Sequence, residues 1–233
     1  MQSANLLLAS LTVADAAAIR SNLKSIDLEH HRILFESGDV INTVYFPTSA
    51  IISLVVGLST GEMVEAAMVG RDGVVGASSA LDGKISFSRG IVQIAGQCLI
   101  CEADVLKGAA LQSNTMLAKL VRHEQTLYAQ AQQSTACMAT HDIEARLCRW
   151  LLRARDLSRN DTLLFTQETL AEMLGVRRTS VTTVAHTLQR AGMIKYARGK
   201  IQIVDVDGLR ETACECYATI NSHYQALLGD PLR

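Results

Sequence analysis

The sequence predicts an α+β protein: an N-terminal β-barrel of jelly-roll type, one long helix, and a C-terminal helical unit closed by a small hairpin. Three observations carry this expectation. From Ile26 to Ile100, short runs rich in Val and Ile alternate with turn signals every eight to twelve residues or so. From about Leu111 to Ala139 there is neither Gly nor Pro, as a long uninterrupted helix requires. From Phe165 to Lys200 the chain reads FTQETLAEMLGVRRTSVTTVAHTLQRAGMIKYARGK, two helical patterns around a glycine followed by a basic hairpin. The expected divisions are 1–110, 111–139 and 140–233.

At 233 residues with 48% apolar content the chain can bury a substantial core. No apolar run approaches the ~20 residues of a membrane helix. The Leu6 to Leu11 stretch lacks a basic leader and is soon interrupted by Asp15, so a cytoplasmic protein without a membrane partner is expected. The formal net charge of −1 hides an uneven distribution: residues 1–110 hold 7 Lys or Arg against 11 Asp or Glu, whereas residues 141–200 hold 11 against 6. A late basic region points to a polyanionic partner met only there.

In chain order, an irregular start gives way at Thr12, which can cap a helix from Val13 to about Leu23. The runs VYF, IISLVV, MVEAAMV, VVGA and GIVQIAGQCLIC read as strands. In the Gly-free stretch Leu117, Leu120, Glu124, Leu127, Ala131, Ser134 and Met138 recur at alternating three- and four-residue steps, the seam of a two-stranded coiled coil. A parallel homodimer is expected, with Leu117, Leu120, Leu127, Ala131, Ser134 and Met138 as its contacts. Residues 141–156, HDIEARLCRWLLRARD, form a further helix with Ile143, Leu147, Trp150 and Leu151 inward. His141 is expected to act as a cap or hinge contact. The arginines Arg146, Arg149, Arg153 and Arg155 are expected on the helix surface, within reach of water, acids or phosphates. A last helix from Gly208 carries a stripe of Leu209, Ala213, Cys216 or Tyr217, Ile220, Tyr224 and Leu227 that should pack on the preceding unit, and the closing GDPLR should fray.

Within residues 165–200, the Thr166 hydroxyl can accept a free amide at the start of the first helix, and Gly175 supplies the sharp turn. The second helix, from about Arg178, turns Val181, Val184, Ala185 and Leu188 inward. Its outer face, Arg178, Thr179, Thr182, Thr183, His186 and Gln189, has cations and short hydrogen bonders but no carboxylate. Such a face suits duplex DNA: Arg can bridge the two acceptors of guanine, and Thr, Ser and Gln reach phosphates, base edges or thymine methyls. The hairpin turn Arg198-Gly199-Lys200 adds two cations in the position of a wing. The candidate DNA contacts are Thr166, Gln167, Arg177, Arg178, Thr179, Ser180, Thr182, Thr183, His186, Gln189, Arg198 and Lys200.

At these residues, and over nearly its whole length, the chain resembles the Crp/Fnr family of bacterial transcription regulators. The resemblance implies a sensor barrel of the cyclic-nucleotide-binding type, a long helix that pairs two protomers, a winged helix-turn-helix on a near-palindromic DNA operator, and RNA polymerase as a candidate partner. By the same resemblance Arg178 corresponds to a base-contacting Arg and Thr166 to a backbone-contacting Thr. Thr179 and Thr183 stand where the cyclic-AMP receptors have Glu and a second Arg. The family's cyclic-nucleotide pocket needs a Glu soon after a Gly and an Arg-Ser pair; here Gly76 is followed by Ala77, and the second place reads Phe87-Ser88-Arg89-Gly90. Cyclic AMP is therefore not the expected effector, no cofactor is assigned, and the signal stays open.

Six cysteines, Cys98, Cys101, Cys137, Cys148, Cys214 and Cys216, complete the inventory. Cys98 and Cys101 lie three apart in a strand-like run and should face opposite ways; Cys214 and Cys216 lie two apart in a helical pattern and should diverge. Buried structural thiols, with no metal, are the expectation, and His30, His31 and His123 have no evident partner. A barrel enzyme needs a His-rich ligand set, yet no histidine occurs from Ile33 to Ile100, and no nucleophile elbow or phosphate loop is present. The remaining alternative is an interaction module without DNA binding, which salt-sensitive binding to duplex DNA discriminates.

Overall fold

The computed structural model describes residues 4–229. Residues 230–233, most of the GDPLR segment, lie outside them. The chain opens with α1 (Leu6–Ala9) and α2 (Val13–Arg20), followed by β1 (Lys24–Leu28), β2 (Ile33–Phe35), β3 (Thr43–Pro47), β4 (Ile51–Gly57) and β5 (Met63–Val69). A 3-10 turn at Ala77–Leu81 precedes β6 (Arg89–Ile94) and β7 (Gly96–Glu102). Next come α3 (Ala103–Gln112), α4 (Asn114–Thr140), α5 (Ile143–Ser158), β8 (Thr162–Leu164), α6 (Gln167–Leu174), α7 (Arg178–Arg190), β9 (Ile194–Ala197), β10 (Lys200–Ile203), α8 (Val206–Thr212) and α9 (Cys216–Leu228). Thr12 caps α2 as expected, its hydroxyl accepting from Asp15 N at 3.1 Å.

The front half is two antiparallel sheets, ordered β1-β7-β3 and β2-β6-β4-β5. Leu28 and Cys98 of the first meet Phe35, Ile52, Val69 and Val92 of the second in one buried cluster between them. Alternation along β4 makes both sides useful: Ile52 enters that cluster, while Ile51 and Val55 join the core of the C-terminal unit. The outer side of the three-stranded sheet, through Val44, Phe46 and Cys101, is covered by α1, α3, α4 and α9. Cys98 and Cys101 therefore enter different cores, as their spacing requires.

Several expectations are corrected. The VVGA run is no strand: Val75 makes a single bridge to Tyr45, and the chain then enters the 3-10 turn. GIVQIAGQCLIC is two strands, broken before Gly96, where an added Cβ would fall 2.7 Å from Ala50 N. The start holds α1, capped by Asn5, and a separate α3 precedes the long helix, whose own cap is Ser113.

The long helix also carries a correction. Its buried stripe is Met116, Leu120, His123, Thr126, Gln130, Ser134 and Cys137, facing its own chain. Leu120 and Ser134 are thus spent internally, and Leu127 packs against the barrel core. Two neighbouring stripes of a helix share nearly the same spacing, and the barrel takes one of them. Leu117, Ala131 and Met138 stay partly exposed beside Val121 and Tyr128, which are 50% and 66% exposed. His123 belongs to the internal stripe and accepts a hydrogen bond from Val74 N at 3.1 Å.

The C-terminal segment is two helices rather than one. Leu209, Ala213 and Tyr217 pack with the helix-turn-helix core, but Ile220, Tyr224 and Leu227 return to the core under α1, α3 and α4. Tyr224 Oη donates to Gln130 Oε1 at 2.8 Å, fixing α9 along the long helix.

A candidate nucleic-acid interface

The helix-turn-helix forms as its residues dictate. Thr166 caps α6, its hydroxyl accepting from Thr169 N at 3.1 Å. Gly175 ends α6 at φ 61°, and an added Cβ there would sit 3.1 Å from Val64 of the barrel, so the turn needs both the left-handed backbone and the missing side chain. α7 buries Val181, Ala185 and Leu188. Arg178, Thr179, Thr182, Thr183, His186 and Gln189 are exposed on its other side, as is Arg177 before it, while Ser180 is half-buried. β9 and β10 close through Arg198 (φ 49°) and Gly199 (φ 76°), a two-residue hairpin of the twist that suits strands. A third strand, β8, pairs with β10 and was not legible as a strand in the sequence.

Side-chain contacts refine the roles. The Thr182 hydroxyl donates to Gln167 Oε1 at 2.6 Å, tying α7 to the first turn of α6. Thr183 bonds back to Thr179 O at 3.1 Å, which turns its oxygen lone pairs and methyl outward. Gln189 Oε1 accepts from Tyr196 N at 2.9 Å, so this amide braces the wing. Arg178 Nη1 lies 3.8 Å from Glu168 Oε2, an exposed pair of the kind that contributes little to stability. Glu168 and Tyr196 are the neighbours that sequence reasoning missed. Together with Thr166, Gln167, Arg178, Arg198 and Gly199 they line a 250 Å³ recess between α6, α7 and the wing. Lys200 is exposed on the same hairpin.

The arginines of α5 are not on this surface. Arg146, Arg149 and Arg153 are buried, and only Arg155 remains partly exposed, bridging to Asp161 at 2.6 Å. Arg153 pairs with the buried Asp72 at 2.6 Å and stacks over Tyr224 at 4.4 Å. Arg146 donates to Leu174 O at the end of α6. Trp150, in the core as expected, donates to Glu65 Oε1 at 2.8 Å and meets the Phe165 ring edge-on. Burial holds the Glu65 carboxyl above the usual range, against the opposing pull of Ser53, Arg149, Trp150 and Arg153.

In the barrel, the two positions singled out by the family resemblance are taken up within the chain. Arg89 Nε bonds Glu36 Oε2 at 2.7 Å, and Ala77 is fully buried in the 3-10 turn.

The cysteines bring a correction. Cys214 and Cys216 do not share a helix: Cys214 lies in the connector after α8, and Cys216 opens α9. Both converge on Cys137 and His141 at the end of α4, and the four ligand-type atoms lie within 4.8 Å of one another. All six thiols are buried, as expected, but the expected divergence of Cys214 and Cys216 does not hold.

Residues 145–212 match the family model of the Crp-like helix-turn-helix domain. No curated protein sequence matches the chain significantly. The overall fold is shared with FixK2 of Bradyrhizobium japonicum, at 14% identity and TM-score 0.70, over 82% of this chain and 98% of that one. A CRP/FNR-family transcriptional regulator of Thermus thermophilus is 20% identical at TM-score 0.66, over 82% and 98%. The c-di-GMP-responsive global regulator CLP of Xanthomonas campestris is 16% identical at TM-score 0.63, over 82% and 99%. Among the described residues no helix is long and apolar enough to cross a membrane. Residues 145–212 are thus a helix-turn-helix domain of Crp type, set in an overall fold that the chain shares with these regulators.

Proposed function

We propose that two copies of this chain pair along α4 and insert their α7 helices into successive major grooves of a near-palindromic operator, with half-site centres ~34 Å apart. The observation that carries the reading is the outer face of α7: exposed, free of carboxylates, and flanked by the cationic wing turn Arg198-Gly199-Lys200. Arg178 is the principal base reader. Thr179 and Thr183 offer methyls and acceptor oxygens, and Arg177, His186, Arg198, Lys200, Thr166 and Ser180 serve the backbone. Gln167, Thr182 and Gln189 are assigned to positioning, because their hydrogen bonds are used within the domain.

The pairing surface follows the strip of α4 that its own chain leaves open: Leu117, Val121, Tyr128, Ala131 and Met138, at coiled-coil steps. An effector other than cyclic AMP acts at the barrel, a reading supported by Ala77 in place of a carboxylate and by the Arg89–Glu36 pair. Selection of bound duplexes from a random library, followed by titration at rising salt, tests the function. A two-fold symmetric motif whose affinity falls steeply with salt is expected, and no duplex binding at low salt overturns it.

A further inference from the structure

Cys137 and His141 stand four residues apart at the C-terminal end of α4, on one face of its last turn. Cys214 and Cys216 approach from the connector between α8 and α9. Cys137 Sγ is 3.5 Å from Cys214 Sγ, and Cys216 Sγ is 3.6 Å from His141 Nδ1. Four ligands at tetrahedral angles and ordinary zinc bond lengths, ~2.3 Å to sulfur and ~2.0 Å to nitrogen, lie roughly 3.5 to 3.8 Å from one another. Both separations fall at that edge length. The three thiols are buried, at 0%, 8% and 0% exposure for Cys137, Cys214 and Cys216.

Surrounding groups fit the same ion. The far nitrogen of His141, Nε2, lies 3.3 Å from Glu215 Oε1, the carboxylate that would hold its proton there and leave Nδ1 as the donor to a metal. Gln133 Nε2 donates to Cys216 Sγ at 3.0 Å, a contact suited to a thiolate. Three thiolates and a neutral imidazole around a divalent ion leave one negative charge. The buried guanidiniums of Arg146, which interacts electrostatically with Cys137 and Cys214, and of Arg149, which interacts with Cys137, supply the opposite sign, and the Nε of each has no hydrogen-bond partner of its own. Thiolate and imidazole donors with no carboxylate in the set select zinc over the oxygen-seeking magnesium or calcium.

We propose that Cys137, His141, Cys214 and Cys216 form a tetrahedral zinc site. All four positions are filled by the protein, so the ion is structural rather than hydrolytic. Its ligands come from the last turn of α4, the two-residue joint to α5, and the connector between α8 and α9 with the first residue of α9. Zinc thereby fastens the winged domain to the long helix, and Arg146 carries the connection on to the end of α6 through Leu174 O.

The test uses the full chain, purified under reducing conditions without chelator. Elemental analysis is expected to give about one zinc per chain, and cobalt reconstitution to give the intense visible bands of a tetrahedral thiolate site. Cys214→Ser should lose the metal and Cys148→Ser should keep it. Because a cysteine variant can fail to fold, His141→Ala serves as the second probe: its side chain is partly exposed, and zinc affinity in competition with a chromophoric chelator should fall at least ~10-fold while the far-UV spectrum is retained. A reduced chain that takes up no zinc after reconstitution overturns the site. So does a zinc affinity unchanged in His141→Ala, or a Cys137–Cys214 disulfide in protein purified anaerobically.

Discussion

Helices α5 and α7 carry arginines in similar helical settings and use them in opposite ways. On α5, Arg146, Arg149 and Arg153 are buried and face Leu174 O, Glu65 and Asp72. On α7, Arg178 and Arg190 stay in solvent, on a helix with no carboxylate of its own. The difference comes from what surrounds each helix. α5 lies between the four-stranded sheet and the helix-turn-helix, so its cations are enclosed and acids from the barrel have to meet them. α7 is packed on one side only. Three of the eleven cations of residues 141–200 therefore belong to the interior, and the positive charge left on the helix-turn-helix surface is smaller than the composition suggests.

Four predictions bear on that contrast. The largest effect belongs to the interior. Arg153→Ala leaves Asp72 charged and buried without a partner, and should destabilise the chain by ~3–5 kcal/mol in urea denaturation. Arg153→Met combined with Asp72→Leu should recover most of that loss; a double variant as weak as the single one would place the effect in packing over Tyr224. On the other helix, Arg178→Ala should leave stability unchanged within ~0.5 kcal/mol. It should weaken the selected operator by ~1–3 kcal/mol and relax base preference at one position. Equal losses on selected and random duplex would reassign Arg178 to phosphate.

The third prediction concerns pH. Glu65 holds its proton in the folded chain to higher pH than in the unfolded chain. Its contribution to stability is therefore complete below the unfolded value, about 4.5, and is lost as pH rises through the folded value. Glu65→Gln should remove a slope of at most ~1.4 kcal/mol per pH unit above that point, measured by denaturation at several pH values. Matching slopes in wild type and variant would show the carboxyl to be ionised throughout. The smallest effect is at the wing: Lys200→Ala should weaken all duplexes alike and lower the salt slope by ~1, and an unchanged slope would set the wing apart from DNA.

The helix-turn-helix was legible because its causes are local. Thr166, Gly175 and the Arg198-Gly199 turn act through their own backbone, and the α7 face follows from a period of 3.6. The α4 seam was legible only as a spacing, since periodicity cannot say which of two adjacent stripes meets the barrel.

The sequence by itself determined the order of barrel, long helix and winged unit, the Thr12 and Thr166 caps, the Gly175 and Arg198-Gly199 turns, and the outer face of α7, because each rests on residues close together in the chain. Only the tertiary structure decided which arginines are buried, which stripe of α4 stays open, and that Cys137 and His141 meet Cys214 and Cys216. Those outcomes depend on partners far off in the chain, 62 residues between Met68 and Gln130 and 77 between Cys137 and Cys214, and no pattern within a helix encodes such a distance.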